Sequence, residues 1–205
     1  MIMIRDFSDF INESINDISY GEKRDHEQPP IALDELPLID PPANSSDQTK
    51  QEIEEINDMP KATSFDISND KNFSDTFAEY LAANNGSITE DQLKRYSKKI
   101  KHIVIALKNH YNRPRPAQLA AHHGINLKAY PSKSADTASY PSGHSVQPFA
   151  IATALSKEYP ELKDGLFELA DRIAKGRMRM KIHYRSDYEY GKLLGKKIGD
   201  RLSIN

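Results

Sequence analysis

The chain has 205 residues, no cysteine, no tryptophan and a formal net charge of −2 at pH 7. That length suits one domain with a tail. The missing cysteines exclude a disulfide framework and thiolate metal ligation, and no apolar run approaches the ~18 residues of a membrane helix. The small net charge hides a step. Residues 1–60 hold 15 acidic and 4 basic residues, net −11, whereas residues 61–205 hold 15 acidic and 24 basic, net +9. A basic body attracts anions and speeds their encounter. No base-reading motif or regular aromatic interleaving accompanies it, so no nucleic-acid partner is expected. Met1 to Asp6 lack the basic start and long apolar core of a secretory signal, so a soluble, non-secreted, cytoplasmic protein is expected.

Taken in order, residues 4–18 place Phe7, Phe10, Ile11, Ile15 and Ile18 on one helical stripe. A helix this short is marginal alone and calls for a partner surface. Residues 19–64 are acidic and hold Pro29-Pro30 and Pro41-Pro42, which cannot continue helices. With few apolar residues to offset ordering entropy, the stretch reads as a disordered or loosely draped linker. From about residue 65 the pattern turns helical. Phe73, Phe77, Tyr80 and Leu81 mark one helix, ended near Asn84-Asn85-Gly86. Thr89 and Gln92 form a capping box for the next, whose stripe runs from Leu93 to Tyr111 and must stop before Pro114 and Pro116. A short helix is expected over 116–123 and a loop over 124–140. Helices should follow after His144, over about 161–175 and over about 186–201. No convincing strand or repeat appears, so the class is all-α, with 1–64 as N-terminal segment and 65–205 as helical domain. A chain starting near Lys61 is therefore expected to fold by itself.

Three stretches carry chemistry. The turn Ser139-Tyr-Pro141-Ser142-Gly143-His144 opens a helix, where Ser142 can cap and free N–H groups with a positive dipole end can take an anion. His144 in that turn can give or take a proton near neutral pH. Before it, Lys108 at a helix end and Arg115 beyond the proline break can converge on one point. After it, His183 and Asp187 are four apart and share a face on a helical turn, so the carboxylate can fix the ring tautomer. Each alone also fits an ordinary surface: a capped helix, a basic helix end, a His–Asp pair.

Together, Lys108 with six residues to Arg115-Pro116, Pro141-Ser142-Gly143-His144, and Arg177 with five residues to His183 and three to Asp187 resemble the tripartite signature of the type 2 phosphatidic acid phosphatase and vanadium haloperoxidase superfamily. Within it the chain is similar to the soluble bacterial class A non-specific acid phosphatases, on Ser139 to His144 and on His183-Tyr-Arg-Ser186-Asp187. The resemblance covers about residues 70–203 and implies a helical bundle of the acid phosphatase/haloperoxidase type. It implies a metal-independent phosphomonoesterase with no cofactor, inhibited by vanadate. Lys108, Arg115 and Arg177 would cradle the phosphoryl oxygens, with the backbone N–H groups of Ser142 and Gly143 and the Ser142 hydroxyl. His183 would attack phosphorus to form a phosphohistidine, Asp187 would orient it, and His144 would protonate the leaving alcohol and then activate water. Gly176 stands where the family usually has Ser, which is expected to remove a hydroxyl near the phosphate.

Two alternatives accompany this reading. Vanadate mimics trigonal-bipyramidal phosphorus, so a vanadate-dependent haloperoxidase is the alternative within the fold. Phe7-Ser-Asp-Phe10-Ile11-Asn-Glu13 also resembles the capsid-targeting starts of internal head proteins of T-even-like tailed phages, which would make this a packaged virion protein. The other histidines receive no role, including the adjacent pair His122-His123, which lacks partners at ligand spacing.

Overall fold

A computed structural model describes residues 15–204 of the chain. Among them no strand occurs, and helices of 4 to 22 residues carry the fold. The elements are α1 (Asp47–Asp58), α2 (Ser64–Lys71), α3 (Phe73–Ala83), α4 (Glu90–Tyr111), α5 (Pro116–Leu119), α6 (Gly143–Glu158), α7 (Lys163–Arg179) and α8 (Arg185–Arg201), with 3-10 turns at 33–35, 120–123, 133–135 and 160–162. The expected all-α class and most boundaries hold. The Thr89 hydroxyl accepts from the Gln92 N–H at 3.3 Å, and Asn112, in the left-handed region at φ 45°, ends α4 ahead of the prolines. The helix expected over 161–175 runs on to Arg179, because nothing after Gly176 stops it before the Met180 to Tyr184 turn.

Helix α6 is the axis of the bundle. It is apolar around its circumference, with Val146, Phe149, Ala150, Ile151, Ala152 and Leu155 all buried, as a core helix requires. It packs chiefly on α8 and α7, then on α4. Helix α8 comes unusually close through Gly191, Gly195 and Gly199. A Cβ at Gly195 would lie 2.5 Å from the Val146 carbonyl oxygen, and one at Gly199 would lie 2.5 Å from that of Ala150. The first turns of α6 and α8 are thereby held side by side, and both carry site residues.

The N-terminal segment departs from expectation. Phe7, Phe10 and Ile11 lie outside the described residues, but Ile15 is buried with Ile53, Leu119, Ala120 and Tyr184. Residues 19–64 are mostly irregular yet are not a loosely draped linker. Ile31, Leu36 and Ile56 join the main core, and α1 is seated with Ile53 and Ile56 fully buried, each worth about 1.5–3 kcal/mol. Three tyrosines hold the strand-like stretch before α1. Tyr140 donates to the Ile39 carbonyl at 2.9 Å, Tyr190 to the Pro37 carbonyl at 3.0 Å, and Tyr111 accepts from the Ile39 N–H at 3.1 Å. Composition misleads here because a few well-spaced isoleucines suffice once the body supplies the opposing surface.

Candidate active site

The site forms where the end of α4, the first turns of α6 and α8, and the last turn of α7 meet. Lys108 and Arg115 stand on either side of the Asn112 break, and Arg177 lies in the final turn of α7. All three cations are buried, at 6 %, 5 % and 2 % exposure, which is unusual for such side chains unless they are paired. Lys108 Nζ donates to the Ala138 carbonyl oxygen. Arg115 donates through Nε to the Thr137 carbonyl at 2.8 Å and through Nη1 to the Ile182 carbonyl at 2.7 Å. Burial pushes the Lys108 ammonium well below the usual lysine range, and the nearby charges of Arg115 and Arg177 push the same way. Burial likewise lowers Arg115 to about 10. An anion entering between them would relieve this strain.

His183 and Asp187 meet as their spacing implies, though His183 precedes α8 and Asp187 lies in its first turn. His183 Nδ1 is 2.8 Å from Asp187 Oδ2, and Nε2 is 2.9 Å from Arg115 Nη1. Only one tautomer satisfies both contacts: Nδ1–H donates to the carboxylate, and the Nε2 lone pair accepts from arginine. Burial, with the Arg115 charge beside it, holds His183 well below the usual histidine range, so the ring is neutral and carries that lone pair. Asp187 is completely buried. Burial would raise its carboxyl, but Arg113 and the hydrogen bonds from His183 and Ser139 hold it far below the usual carboxylate range. Its oxygens accept from Arg113 Nη1 at 2.7 Å and from the Tyr184 N–H at 3.1 Å as well.

The α6 turn differs in detail from expectation. Ser142 occupies the cap position, but its hydroxyl makes no capping bond; it is buried and without a hydrogen-bond partner among the described residues. Its N–H donates to the Asp187 carbonyl oxygen at 3.1 Å, so it is not free to bind an oxyanion. Gly143 and His144 instead supply the first N–H groups of α6, which have no intrahelical acceptor. His144 Nε2 lies 3.3 Å from the Asp70 carbonyl oxygen, and its ring meets the Phe73 ring edge-on at 5.4 Å. Burial, with Arg177 nearby, lowers His144 to about 3.

Several residues enter that the motifs do not name. Arg113 lies over the Tyr184 ring at 3.8 Å and donates to Ser186 Oγ and Asp187 Oδ1, both at 2.7 Å. Arg113 and Arg115, either side of Pro114, reach the two members of one pair, Arg113 donating to Asp187 and Arg115 meeting His183 Nε2. Glu52 of α1, 1 % exposed, accepts from Ser186 Oγ at 2.6 Å and lies 3.7 Å from Arg113 Nη2. Asp70 of α2 accepts from Arg177 Nη1 at 2.6 Å and from Ser132 and Ser134 at 2.8 and 3.0 Å. Arg177 Nη2 also donates to Ser134 Oγ, while its Nε stays buried and unpartnered. Gly176 does not leave an empty place beside Arg177. A Cβ there would lie 2.6 Å from Asp66 Oδ1, and Asp66 is paired with Arg179 at 2.6 Å. The carboxylate of α2 fills the space a family serine would take. Of these, Arg113 lies inside the Lys108 to Pro116 stretch, and no spacing there marks its role.

Away from this site, His123 Nε2 meets the Asn44 carbonyl at 2.8 Å. Among the described residues no group of three or more His, Cys, Asp or Glu is placed to hold a metal ion, and no helix is long and apolar enough to cross a membrane.

Residues 100–198 match the PAP2 superfamily, over the stretch that contains all three motifs. The match covers just under half of the chain. A solved structure described as the first bacterial vanadium-dependent iodoperoxidase is similar at a TM-score of 0.60 and 18 % identity, with 79 % of this chain covered. That likeness shows the fold, and the chain spans 50 % of the iodoperoxidase chain. No curated protein matches. The PAP2 match begins inside α4, so α1, which brings Glu52, and α2, which brings Asp66 and Asp70, lie outside it.

Proposed function

We propose that the chain hydrolyses phosphate monoesters through a covalent phosphohistidine. The observation that carries this reading is the neutral His183, with Nδ1–H held by Asp187 and the Nε2 lone pair turned toward Arg115. A phosphoryl group replacing that contact would sit among Lys108, Arg115, Arg177, the Ser142 hydroxyl and the first N–H groups of α6. These donors neutralise the equatorial oxygens in a dry site, where they are worth most.

In the first step the Nε2 lone pair attacks phosphorus in line, forming P–N as the P–O bond to the leaving group breaks. Asp187 stabilises the positive charge that develops on the ring. His144 is neutral in the resting site; the negative charge of a bound phosphoryl group raises its proton affinity, so it takes the proton of the monoester monoanion and passes it to the departing oxygen. In the second step His144 takes a proton from water, the hydroxide oxygen bonds to phosphorus, P–N breaks and phosphate leaves. The test is incubation with 4-nitrophenyl phosphate and acid-free mass spectrometry of the quenched protein. A phosphate adduct on His183 is expected, and turnover by His183→Ala at the wild-type rate would overturn the mechanism.

Vanadate would be held by the same residues, Lys108, Arg115, Arg177 and His183, and would supply a mimic of the transferring phosphoryl group. The fold shared with an iodoperoxidase favours halide oxidation as the second reading. Bromide or iodide oxidation by peroxide in the presence of vanadate, with no phosphatase activity in its absence, would select it.

A further inference from the structure

A groove of about 510 Å³ runs beside the site between α4 and the start of α3, lined by Lys71, Phe73, Lys94, Lys98, Lys101 and Gln147 among others. Lys94, Lys98 and Lys101 share one face of α4, at spacings of four and three. Lys94 pairs with Glu90, which lies outside the lining. Lys71, Lys98 and Lys101 have no carboxylate partner among the described residues, and no carboxylate lines the groove. Three ammonium groups without a carboxylate partner line one groove, so the arrangement favours a bound anion.

Its position relative to the site is set by four consecutive residues. Asp70 faces inward, on Arg177 and on His144 Nε2. Lys71 and Phe73 line the groove, and the Phe73 ring is also the edge-on partner of His144. Gln147, one turn beyond Gly143, closes the other wall by donating to the Ser97 carbonyl and hydroxyl at 2.9 and 2.8 Å. The groove therefore meets the site through Phe73, whose ring touches His144, the group that would protonate the leaving oxygen.

We propose that this groove receives the leaving group, and that the substrates are phosphate monoesters whose leaving group carries a second phosphate or a comparable anion. The proposal rests on the phosphatase reading. The test compares 4-nitrophenyl phosphate with benzene-1,4-diyl bisphosphate, which share an aryl core, at ~0.15 M salt, where steering beyond ~8 Å is screened. Lys98→Ala/Lys101→Ala removes two exposed contacts. It should cut kcat/KM for the bisphosphate about tenfold, equal to ~1.4 kcal/mol, while 4-nitrophenyl phosphate changes less than about twofold. Equal loss on both substrates, or no loss on either, overturns the proposal. Calorimetric binding of inorganic pyrophosphate needs no turnover and separates the two readings. If the wild type turns over neither ester, the phosphatase reading fails; pyrophosphate affinity about tenfold weaker in the double variant would still support the anion groove, and unchanged affinity would overturn it.

Discussion

Replacing Glu52 by alanine tests whether the N-terminal segment is part of the catalytic body. The Glu52 carboxylate is 1 % exposed and accepts from the Ser186 hydroxyl at 2.6 Å and the Ser186 N–H at 3.3 Å, with Arg113 Nη2 3.7 Å away. Without it, the Ser186 hydroxyl and N–H lose their acceptor, and the buried Arg113 is balanced only by Asp187. Breaking a buried pair by removing one partner costs about 3–5 kcal/mol, a large part of the ~5–15 kcal/mol that holds a domain folded. For a chain of this size each kcal/mol shifts Tm by about 2–4 °C, so a fall on the order of 10 °C is expected. Glu52→Gln keeps the shape and an acceptor for Ser186, so it should fall less. Circular-dichroism melts of wild type and both variants give the answer directly. An alanine variant within about 3 °C of wild type would refute the reasoning and return residues 1–60 to the role of a separable tail. The companion experiment is deletion of residues 1–60, which also removes Ile53 and Ile56 from the core; poor folding is expected, and a fully active truncated chain would contradict the packing described above.

Other outcomes follow from the site. Asp187→Asn should fold but lose most of its kcat, because the amide no longer holds His183 in the tautomer that leaves Nε2 free; an unchanged kcat in steady-state assays would remove Asp187 from the mechanism. Asp70→Asn should lower KM and strengthen vanadate inhibition, because phosphate then meets less competition for Arg177; a raised KM would make Asp70 a support for Arg177 instead. Gly176→Ser should destabilise by disturbing the Asp66–Arg179 pair, since its Cβ would meet Asp66 at 2.6 Å; a Tm equal to wild type would show that the carboxylate moves freely. His144 is lowered to about 3 by burial and by Arg177, against ~6.5 in an unfolded chain. Between those values the unfolded state binds more protons, so stability should fall as pH drops from about 6.5 toward 3. His144→Gln should flatten that slope in pH-dependent melts, and an unaltered slope would refute the assignment.

Local pattern carried the helices. The stripe from Leu93 to Tyr111, the Thr89 capping box and the proline stop at Pro114 involve residues within a few turns of one another, so the sequence alone determined that α4 exists and where it ends. The motif residues Lys108, Arg115, His144, Arg177, His183 and Asp187 were legible for a related reason: each motif is short, and its spacing is set by the turn it occupies. Only the tertiary structure decided what those turns face. Glu52 and Asp70 are ordinary acids in an acidic, polar stretch until α1 and α2 place them against Arg113 and Arg177, more than 60 and 100 residues away in the chain. Ser142 reads as a cap from its position, yet the Asp187 carbonyl takes its N–H and leaves its hydroxyl free. Gly176 reads as a lost hydroxyl, yet Asp66 fills its place. Helical periodicity is a property of neighbours and shows in any window of the chain. Pairing between buried charges depends on which surfaces dock, and no spacing within one stretch records it.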